Sequence, residues 1–429
     1  MRGRAMAQAR FLWLLRSRIH YYSTTSSSAS LGNVVVIVAA KRTPIGAFQG
    51  SLAPFTACQL GSAAIKAALR DAQAEADWVE EVYMGNVLSS GLGQAPARQA
   101  ALGAGLSPAT ICTTVNKVCA SGMKAVMLGV QSIAMGLQQC VVAGGMESMS
   151  NAPFLLPRIR STKVTGDLVM KDSMVVDGLQ DAYKETSMGI CAELCAEEMG
   201  ISRYEQDSHA IQSYERALAA QATGLFNSEI TPLTIVGKKV QDSKIIALDE
   251  ECSKFNPEKL RSLPSAFLSN GTITAGNSST IGDGSAVLLL ASAEFAEKKG
   301  LPILARVRGF GDAAQAPEKF PTSPALAIPK ALQHAGLEMK RVELFEINEA
   351  FSVVDLANRK LLGLLPDQVN IHGGAVSLGH PIGASGARII VSLITNLALH
   401  RKRIGVASIC NGGGGASAIV IERDLTYHL

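Results

Sequence analysis

Three side chains stand in local sequences that favour chemistry on an acyl group. Cys119 opens a predicted helix at Cys119-Ala120-Ser121-Gly122, and the free N–H groups of a helix N-terminus stabilise a thiolate. His380 lies in Gly379-His380-Pro381-Ile382-Gly383. Pro381 favours an extended backbone at His380, and an imidazole in such a loop suits proton transfer to a thiol. Cys410 precedes Asn411 and four glycines, whose N–H groups can face an oxyanion or a phosphate.

Each of these motifs also has a purely structural interpretation. Cys119 can be a buried cysteine at a tight helix start, His380 a surface loop residue, and the glycine run after Cys410 a β-turn. A phosphate loop would need a lysine and a serine or threonine in register, and the glycine run has neither. Asn348 precedes another predicted helix, where its amide can cap the helix or hold a water or a carbonyl group.

These motifs lie in two series of predicted strands and helices, one in each half of the chain, and the two series have a similar order. The β-branched run at 33–40 predicts a buried strand in a sheet covered on both faces. The other elements predicted for the N-terminal part are helices at 56–72 and 122–136 and a strand at 139–145. Those predicted for the C-terminal part are strands at 303–310, 404–410 and 416–422 and helices at 347–363 and 384–399. Ala120-Ser121-Gly122 and Ala384-Ser385-Gly386 each open an apolar helix, which indicates an internal duplication.

The composition agrees with closely packed α/β layers. The 429 residues allow two or three domains or one double domain. Apolar residues make up 47% and charged residues 18%, which excludes intrinsic disorder and a coiled coil as the main architecture. With 40 glycines and 5% aromatic residues, tight loops are favoured over an aromatic-rich β-sandwich. Residues 151–275 are more polar and carry shorter apolar runs, so we interpret them as an inserted, mostly helical region.

The first thirty residues have the composition of an organellar transit peptide. They contain five arginines, a serine-rich stretch and no acidic residue; the alternative is a disordered tail. The remaining 35 basic residues nearly balance the 36 acidic ones. We therefore expect a mitochondrial matrix protein without a basic stripe for nucleic acid. The apolar runs are short or interrupted, so we expect no membrane association either.

The eight cysteines fit no zinc module. Cys191 and Cys195 form the one close pair, and no second pair or histidine cluster follows them. We expect these two side chains to lie one helical turn apart as buried packing residues. In a mitochondrial matrix all eight thiols should be reduced.

Four motifs taken together resemble the thiolase family. They are Asn116-Lys117-Val118-Cys119-Ala120-Ser121-Gly122, Asn348-Glu349-Ala350-Phe351, Gly379-His380-Pro381-Ile382-Gly383 and Cys410-Asn411-Gly412-Gly413-Gly414, and Gly144-Gly145-Met146-Glu147-Ser148-Met149-Ser150 also fits. The likeness runs from about residue 34 to 422. It is strongest to the mitochondrial branch that makes and cleaves acetoacetyl-CoA.

The resemblance implies an α/β thiolase fold. In that fold two duplicated βαβαβαββ halves form a layered α-β-α-β-α core with an inserted loop domain. The expected divisions are a transit peptide at 1–30, an N-terminal half at 31–150 completed by part of 276–300, an inserted CoA-binding domain at 151–275 and a C-terminal half at 301–429. The resemblance also implies a homotetramer.

The resemblance further implies a reversible acyltransferase reaction. His380 takes the proton of Cys119, whose thiolate receives the acyl group of an acyl-CoA. Cys410 removes an α-proton from a second acetyl-CoA, which attacks the acyl-enzyme to give acetoacetyl-CoA. The enolate oxygen is expected to face His380 and a water held by Asn348, and the tetrahedral oxyanion to face the N–H groups of Cys119 and Gly412.

Binding positions carry over from the same resemblance. The residues that match coenzyme A contacts are Tyr214, Lys254, Phe255, Asn256, Lys259 and Ser279. The residues that match a potassium site are Tyr214 and the backbone carbonyls of Ala275, Gly276, Ser278 and Val376. No organic prosthetic group is implied. Phe320-Pro321 matches a dipeptide beside the acyl pocket that is associated with accepting a 2-methyl group.

The chain departs from the family pattern at Ser187, where many biosynthetic members have histidine. Lys254-Phe255-Asn256 also matches its counterpart only loosely. Two other functions remain open on the sequence, a degradative 3-ketoacyl-CoA thiolase for longer chains and a non-catalytic acyl-CoA-binding protein. Phe320-Pro321 disfavours long chains by crowding the pocket, and the intact set of Cys119, Asn348, His380 and Cys410 disfavours a non-catalytic protein.

Overall fold

The apolar, β-branched runs of the sequence form the strands of one large mixed sheet. A computed structural model describes residues 32–156, 160, 165–237 and 239–426, so the predicted transit peptide lies outside the described residues. The strands are β1 (Val35–Arg42), β2 (Gly46–Ala47), β3 (Glu81–Gly85), β4 (Ile111–Val115), β5 (Cys140–Ser148), β6 (Phe154–Leu155), β7 (Lys171–Asp172), β8 (Leu233–Ile235), β9 (Lys244–Ile246), β10 (Gly282–Ser292), β11 (Ala305–Ala314), β12 (Leu344–Ile347), β13 (Ile404–Asn411) and β14 (Gly415–Arg423).

Helices connect these strands and cover the sheet. They are α1 (Ala57–Ala72), α2 (Pro96–Gly103), α3 (Ser121–Ala134), α4 (Met188–Met199), α5 (Arg203–Ala222), α6 (Pro257–Ser262), α7 (Ala293–Lys299), α8 (Pro324–Ala335), α9 (Ser352–Leu362), α10 (Ala375–Leu378) and α11 (Ile382–Leu399). Side-chain caps define several helix starts. Thr56 and Gln59 form a reciprocal capping box at α1, for example, which satisfies two of the N–H groups left free at a helix start.

The strand order repeats between the two halves of the chain. The sheet runs β12-β13-β14-β11-β1-β10-β5-β3-β4, with β2 paired to β10. The N-terminal half therefore reads β1-β10-β5-β3-β4, and the C-terminal half reads β11-β14-β13-β12. A bridge between Phe345 and Val369 takes the place of the missing fifth strand. The parallel pairs are β3–β4, β3–β5 and β12–β13, so the predicted duplication is confirmed.

The helices and the two halves of the sheet stack in five layers. One apolar core lies between α1, α2 and the N-terminal strands, and another lies between α8 and the C-terminal strands. Helices α3 and α11 pack on each other, and each also contacts strands of both halves. They form the central layer of an α-β-α-β-α arrangement, as predicted.

Some local predictions need correction. The predicted helix at 347–363 begins only at Ser352, because Leu344–Ile347 is the buried strand β12. The sequence patterns do not predict β3, β4, β10 and β12. Three of these have only four or five residues, and β10 opens with Gly282-Asp283-Gly284-Ser285, which reads as a loop.

The inserted region is helical with short hairpins, in agreement with its polar composition. It contains α4, α5 and α6 and the two-stranded pairs β6–β7 and β8–β9. Cys191 and Cys195 lie one turn apart on α4, both buried, as predicted.

Helix α11 is the one helix of the described chain with the length and apolarity of a membrane span. Its apolar window is 89% buried inside the protein. The helix packs in the central layer between the two halves of the sheet, and this burial accounts for its apolar sequence.

Candidate active site

The backbone just before Cys119 adopts a conformation that the sequence did not indicate. Val118 has φ of 47°, a left-handed value that is a true outlier for a β-branched residue. Holding such a residue costs on the order of 1–3 kcal/mol. The bend places Cys119 two residues before α3, packed against the apolar cluster of Val87, Leu88, Met149, Met174 and Ile382.

The hydrogen bonds of His380 determine which ring nitrogen carries its proton. Its Nδ1 lies 2.6 Å from Ser385 Oγ. Ser385 Oγ donates its own hydrogen to the Pro381 carbonyl oxygen at 2.9 Å, so it can only accept from the ring. Nδ1 therefore bears the hydrogen, and Nε2 keeps the lone pair of a general base. Nε2 lies 3.5 Å from Asn348 Nδ2.

Burial makes both members of the predicted thiol–imidazole pair neutral. It raises the pKa of Cys119 to about 11, although the N–H groups of Gly412 and of Cys119 itself oppose the shift. Burial, with a smaller effect from Arg388, lowers the pKa of His380 to about 3. A thiolate and an imidazolium are therefore disfavoured at rest, and proton transfer belongs to the moment of attack on a substrate.

Cys410 lies at the same site, near the end of β13. Its side chain is fully buried beside Phe320 and Phe351. Burial raises the pKa of this thiol, and the neighbouring Cys119 raises it further. This effect of Cys119 on Cys410 means that the two predicted catalytic cysteines lie close together. A methyl group on Gly412 would lie 3.6 Å from Val118 Cγ1, so the glycine turn closes over the Cys119 loop.

Asn348 faces the site and does not cap a helix. Helix α9 begins four residues later, with Phe351 at its N-cap, so the capping alternative is wrong. The Asn348 side chain is fully buried, and its Oδ1 has no hydrogen-bond partner among the described residues. An unpaired buried amide oxygen is costly unless a water or a ligand meets it, which fits the predicted role.

A charged cluster ties the Cys119 loop to the C-terminal half. Lys117 Nζ pairs with Asp312 on β11, and Lys124 Nζ lies 2.7 Å from the other carboxylate oxygen of Asp312. Ser417 Oγ on β14 donates to the same carboxylate at 2.7 Å. These contacts lower the pKa of Asp312 to about 2, although burial opposes the shift. The nucleophile loop is thus anchored on both halves of the fold.

Of the predicted coenzyme A residues, one is buried, two are half-buried and three are exposed. Tyr214 is buried and stacks on Phe255, with ring centroids 4.8 Å apart. Ser279 Oγ donates to the Ala350 carbonyl oxygen at 2.8 Å, next to the Asn348 segment. The exposed residues are Lys254, which pairs with Glu251 at 3.1 Å, Asn256, which caps α6 by accepting from Lys259 N at 2.9 Å, and Lys259.

The predicted potassium ligands lie around one apolar cluster. Tyr214 and Val376 share this cluster with Leu260, and Gly276 approaches Leu260 closely. Among the described residues, none donates a hydrogen bond to the carbonyl oxygens of Ala275, Gly276 or Ser278. Free carbonyl oxygens are the donors that K⁺ prefers, so this residue set fits the ion.

Sequence reasoning missed Ser385 as a functional residue. The repeated Ala-Ser-Gly motif could have indicated this role, since Ser121 in its first copy also hydrogen-bonds the backbone of its own loop, accepting from Lys117 N at 2.8 Å.

Ser187 caps α4, accepting from Ile190 N at 3.4 Å. His209 is buried, with Nε2 3.0 Å from Asp355, and these contacts give it a structural role.

Comparison with known proteins agrees with this geometry. The thiolase N-terminal domain matches residues 35–294, and the thiolase C-terminal domain matches residues 301–423. Acetyl-CoA acetyltransferase 2 of Arabidopsis thaliana is 56% identical over 389 residues, which cover 90% of this chain and 96% of that protein. The mitochondrial acetyl-CoA acetyltransferase of Mus musculus is 53% identical over 392 residues, 91% of either chain.

A solved structure shares the fold over nearly the whole chain. The crystal structure of Acat5 thiolase from Ascaris suum in complex with coenzyme A has a TM-score of 0.86 and 43% sequence identity. The match covers 91% of this chain and all of that one. Since both domain matches, the close relatives and the fold agree with the assembled motifs, the chain belongs to the thiolase family.

Proposed function

We propose that this protein is an acetyl-CoA C-acetyltransferase. It condenses two molecules of acetyl-CoA to acetoacetyl-CoA and free CoA, and it catalyses the reverse thiolysis. The observation that carries the proposal is the convergence of a half-buried and a buried thiol, a neutral imidazole with a free Nε2 and an unpaired amide oxygen. The names of the relatives and the CoA complex of the Ascaris suum enzyme support the substrate class.

In the first half-reaction Cys119 becomes acylated. His380 Nε2 takes the Sγ proton as Sγ attacks the thioester carbon of acetyl-CoA. The oxyanion of the tetrahedral intermediate accepts hydrogen bonds from the N–H groups of Cys119 and Gly412. The C–S bond to CoA then breaks, and CoA leaves with the proton held by His380. One oxyanion donor is typically worth about 2.7–4 kcal/mol, or 10²–10³ in rate.

In the second half-reaction the acyl group moves to carbon. His380, neutral again, takes the Sγ proton of Cys410; the Cys410 thiolate takes an α-proton from a second acetyl-CoA, and the enolate oxygen faces protonated His380 and a water held by Asn348. The enolate carbon attacks the Cys119 thioester, and the new C–C bond forms as the bond to Cys119 Sγ breaks. Protonated His380 then gives its proton to the Cys119 thiolate, so both thiols and the imidazole return to their neutral forms. Two thiols are needed because one is a nucleophile and the other an acid and base.

The acyl pocket favours short substrates. Phe320 is 3% exposed and packs with Phe351 beside Cys410. Aromatic side chains at this position leave little room for a long chain, so we include acetoacetyl-CoA and 2-methylacetoacetyl-CoA and exclude long 3-ketoacyl-CoA substrates. This pocket separates the proposal from a degradative thiolase for longer chains.

We assign coenzyme A and K⁺ to the insertion, which we place at residues 151–275, together with Gly276, Ser278, Ser279 and Val376 outside it. The residues that would hold CoA are Tyr214, Lys254, Phe255, Asn256, Lys259 and Ser279. K⁺ would be held by Tyr214 and the carbonyl oxygens of Ala275, Gly276, Ser278 and Val376, and when bound it would order the loop around Ser279. The two halves of the catalytic core are then 31–150, completed by part of 276–300, and 301–429.

We also propose a homotetramer in the mitochondrial matrix, with residues 1–30 as the transit peptide. The edge strand β4 supports assembly. It ends the sheet with five uncharged residues, and Ile111 is 53% exposed, whereas an edge facing water usually carries charges or proline. The mitochondrial relative from Mus musculus supports the location.

Thiolysis assays with purified protein test the proposed function. Acetoacetyl-CoA, 2-methylacetoacetyl-CoA and a long-chain 3-ketoacyl-CoA are compared with and without K⁺. We expect turnover of the two short substrates, raised by K⁺, and at least a 10³-fold loss in Cys119→Ser. A preference for the long chain would reassign the protein to general fatty-acid degradation. Unchanged turnover in Cys119→Ser would contradict the mechanism.

A further inference from the structure

Glu147 occupies the position in the N-terminal half that Cys410 occupies in the C-terminal half. In the first half, Gly145 pairs with Gly85. Asn86 directly follows Gly85, and Glu147 lies two residues after Gly145. In the second half, Ser408 pairs with Ile347. Asn348 directly follows Ile347, and Cys410 lies two residues after Ser408. The duplication therefore places one titratable side chain beside one asparagine at the same point of each half.

The Glu147 carboxylate receives four hydrogen bonds, which are divided equally between its two oxygens. Oε1 accepts from Asn86 Nδ2 at 2.8 Å and from Leu88 N at 3.2 Å. Oε2 accepts from Val87 N at 3.0 Å and from Gly383 N at 2.9 Å. The side chain is fully buried. Since both oxygens act only as acceptors, this arrangement requires the ionised carboxylate.

Three of these contacts reach the catalytic loops. Gly383 is the second residue of α11, three positions after His380, and its N–H is one of the donors left free at a helix start. Val87 and Leu88 pack in the apolar cluster that contacts Cys119. Glu147 therefore joins, across the two halves, the loop that lines Cys119 to the turn that carries His380.

We propose that ionised Glu147 is a positioning residue that holds His380 in register with Cys119. Protonation would place a hydrogen on an oxygen that already faces two N–H donors. The contact with Gly383 would then weaken and the His380 turn would shift. The inference rests on the roles that the proposed function gives to Cys119 and His380, but it concerns the activation of the thiol and not the substrate.

The surroundings of Glu147 bring the pKa of its carboxyl group close to neutral pH. Burial raises its pKa to about 7, the N–H groups of Val87, Leu88 and Gly383 oppose the shift, and Asp283 on β10 adds to it. Cys119 is the titratable group on the neighbouring loop, and His380 precedes the turn at Gly383. Residues 86–88 and 382–385 have no titratable side chain. Loss of thiol activation below about pH 7 is therefore expected.

The test measures alkylation of Cys119 by iodoacetamide against pH, in parallel with thiolysis. For wild type we expect an acid limb with a midpoint near pH 7. In Glu147→Gln the amide leaves two donors unpaired, so we expect at least a tenfold slower alkylation at pH 8 and no such limb. A structural role alone would lower Tm and leave the limb in place. An unchanged rate and limb in Glu147→Gln would overturn the proposal.

Asp283→Asn is the matched control for loss of a buried carboxylate. Asp283 accepts from Ser150 N at 3.0 Å and from Ser150 Oγ at 2.6 Å, away from the catalytic loops. We expect its alkylation rate at pH 8 to stay within about twofold of wild type. The acid limb should move to lower pH, because removing a neighbouring negative charge favours ionised Glu147. A limb that does not move would contradict the assignment to Glu147.

If Glu147→Gln does not fold, Gly383→Ala tests the same contact. A methyl group on Gly383 would lie 2.6 Å from Glu147 Oε2, so it breaks the same contact from the other side. Slow alkylation without the acid limb is expected again, and wild-type behaviour would overturn the proposal. If wild type shows the limb but no thiolysis of acetoacetyl-CoA, the proposed function fails while the positioning role stands.

Discussion

The reactive groups lie in an environment that opposes charge on each of them. Burial raises the pKa of Cys119 and of Cys410 and lowers that of His380. Because the three groups are uncharged at rest, the fold carries no ion pair at this site that a substrate would have to displace. Charge develops only on the reacting atoms, where the N–H groups of Cys119 and Gly412 can stabilise it by hydrogen bonds.

Ser385→Ala tests whether the tautomer of His380 matters. The change removes the acceptor of Nδ1–H, so the ring can carry its hydrogen on Nε2, where it cannot act as a base. We expect kcat for thiolysis to fall about 10²-fold, the lower range for loss of a general base, with little change in KM. Steady-state kinetics measure both. Ser392→Ala removes another buried serine of α11, bonded to Glu229 at 3.2 Å, and should retain kcat; equal losses in both variants would refute the tautomer role.

His380 should also make the folded protein sensitive to acid. Unfolding exposes the imidazole, which then takes up a proton below its ordinary pKa of 6.5, whereas the folded state keeps it neutral to about pH 3. The unfolded state binds more protons in this window, so stability falls as pH falls below 6.5. Between pH 8 and 5 the loss from this one group is about 2 kcal/mol, because the 1.5 pH units below 6.5 contribute about 1.36 kcal/mol each.

Urea unfolding of wild type and His380→Gln at these two pH values measures the difference. Wild type should lose about 2 kcal/mol more than the variant, because glutamine does not titrate. The variant serves as its own control for the other histidines, whose contributions remain in both proteins. Parallel losses in the two proteins would show that His380 is protonated in the folded state.

At the scale of elements, glycines set the distance between the two central helices. A methyl group on Gly386 of α11 would lie 2.5 Å from Met123 N, and one on Gly122 of α3 would lie 2.9 Å from Ala387 N. One on Gly145 of β5 would lie 2.0 Å from the Gly383 carbonyl oxygen. These contacts are with backbone atoms, which cannot move aside. The close approach brings the N-termini of α3 and α11 together, and with them the loops of Cys119 and His380.

Gly386→Ala should therefore reduce both stability and activity. Overpacking against the backbone costs typically about 1–3 kcal/mol, and the separation of the helices would move His380 away from Cys119. Chemical unfolding and kcat/KM measure the two effects. Gly129→Ala on α3 is the control, since its methyl would meet only side-chain atoms, the nearest being Leu290 Cδ1 at 3.0 Å. Full activity in Gly386→Ala would mean that the helix spacing is not critical.

At the scale of the whole molecule, the sheet leaves one edge without protection. Strand β4 ends the N-terminal half with the uncharged residues Ile111-Cys112-Thr113-Thr114-Val115. Unpaired N–H and C=O groups on such an edge favour pairing with another chain. A second copy of the same strand across a two-fold axis would satisfy them on both subunits.

Ile111→Lys tests the assembly. A lysine on the edge adds a charge that must be buried in a strand-to-strand interface, so we expect the species measured by light scattering to shift from a tetramer towards smaller ones. Leu365→Lys, at a loop residue that is 59% exposed, serves as the control and should leave the mass unchanged. A monomeric wild type would contradict the homotetramer, and a tetrameric Ile111→Lys would exclude the β4 edge.

The local sequence was sufficient to predict the candidate reactive residues and several of the elements around them. Glycine and proline define the backbone of the Cys119, His380 and Cys410 motifs within a few residues, and β-branched runs define buried strands. The repeated Ala-Ser-Gly motif indicated the duplication. The short strands β3, β4 and β12 were not predicted, because four or five residues give too little periodicity.

Only the tertiary structure decided how distant residues act together. Cys119 and His380 belong to different halves, and the loops that carry them lie close together because α3 and α11 pack through their glycines. The tautomer of His380, the left-handed backbone of Val118 and the four-donor site of Glu147 depend on contacts between segments that a local pattern does not contain. The sequence determined which chemistry is available, and the packing of the two halves determined where protons are held.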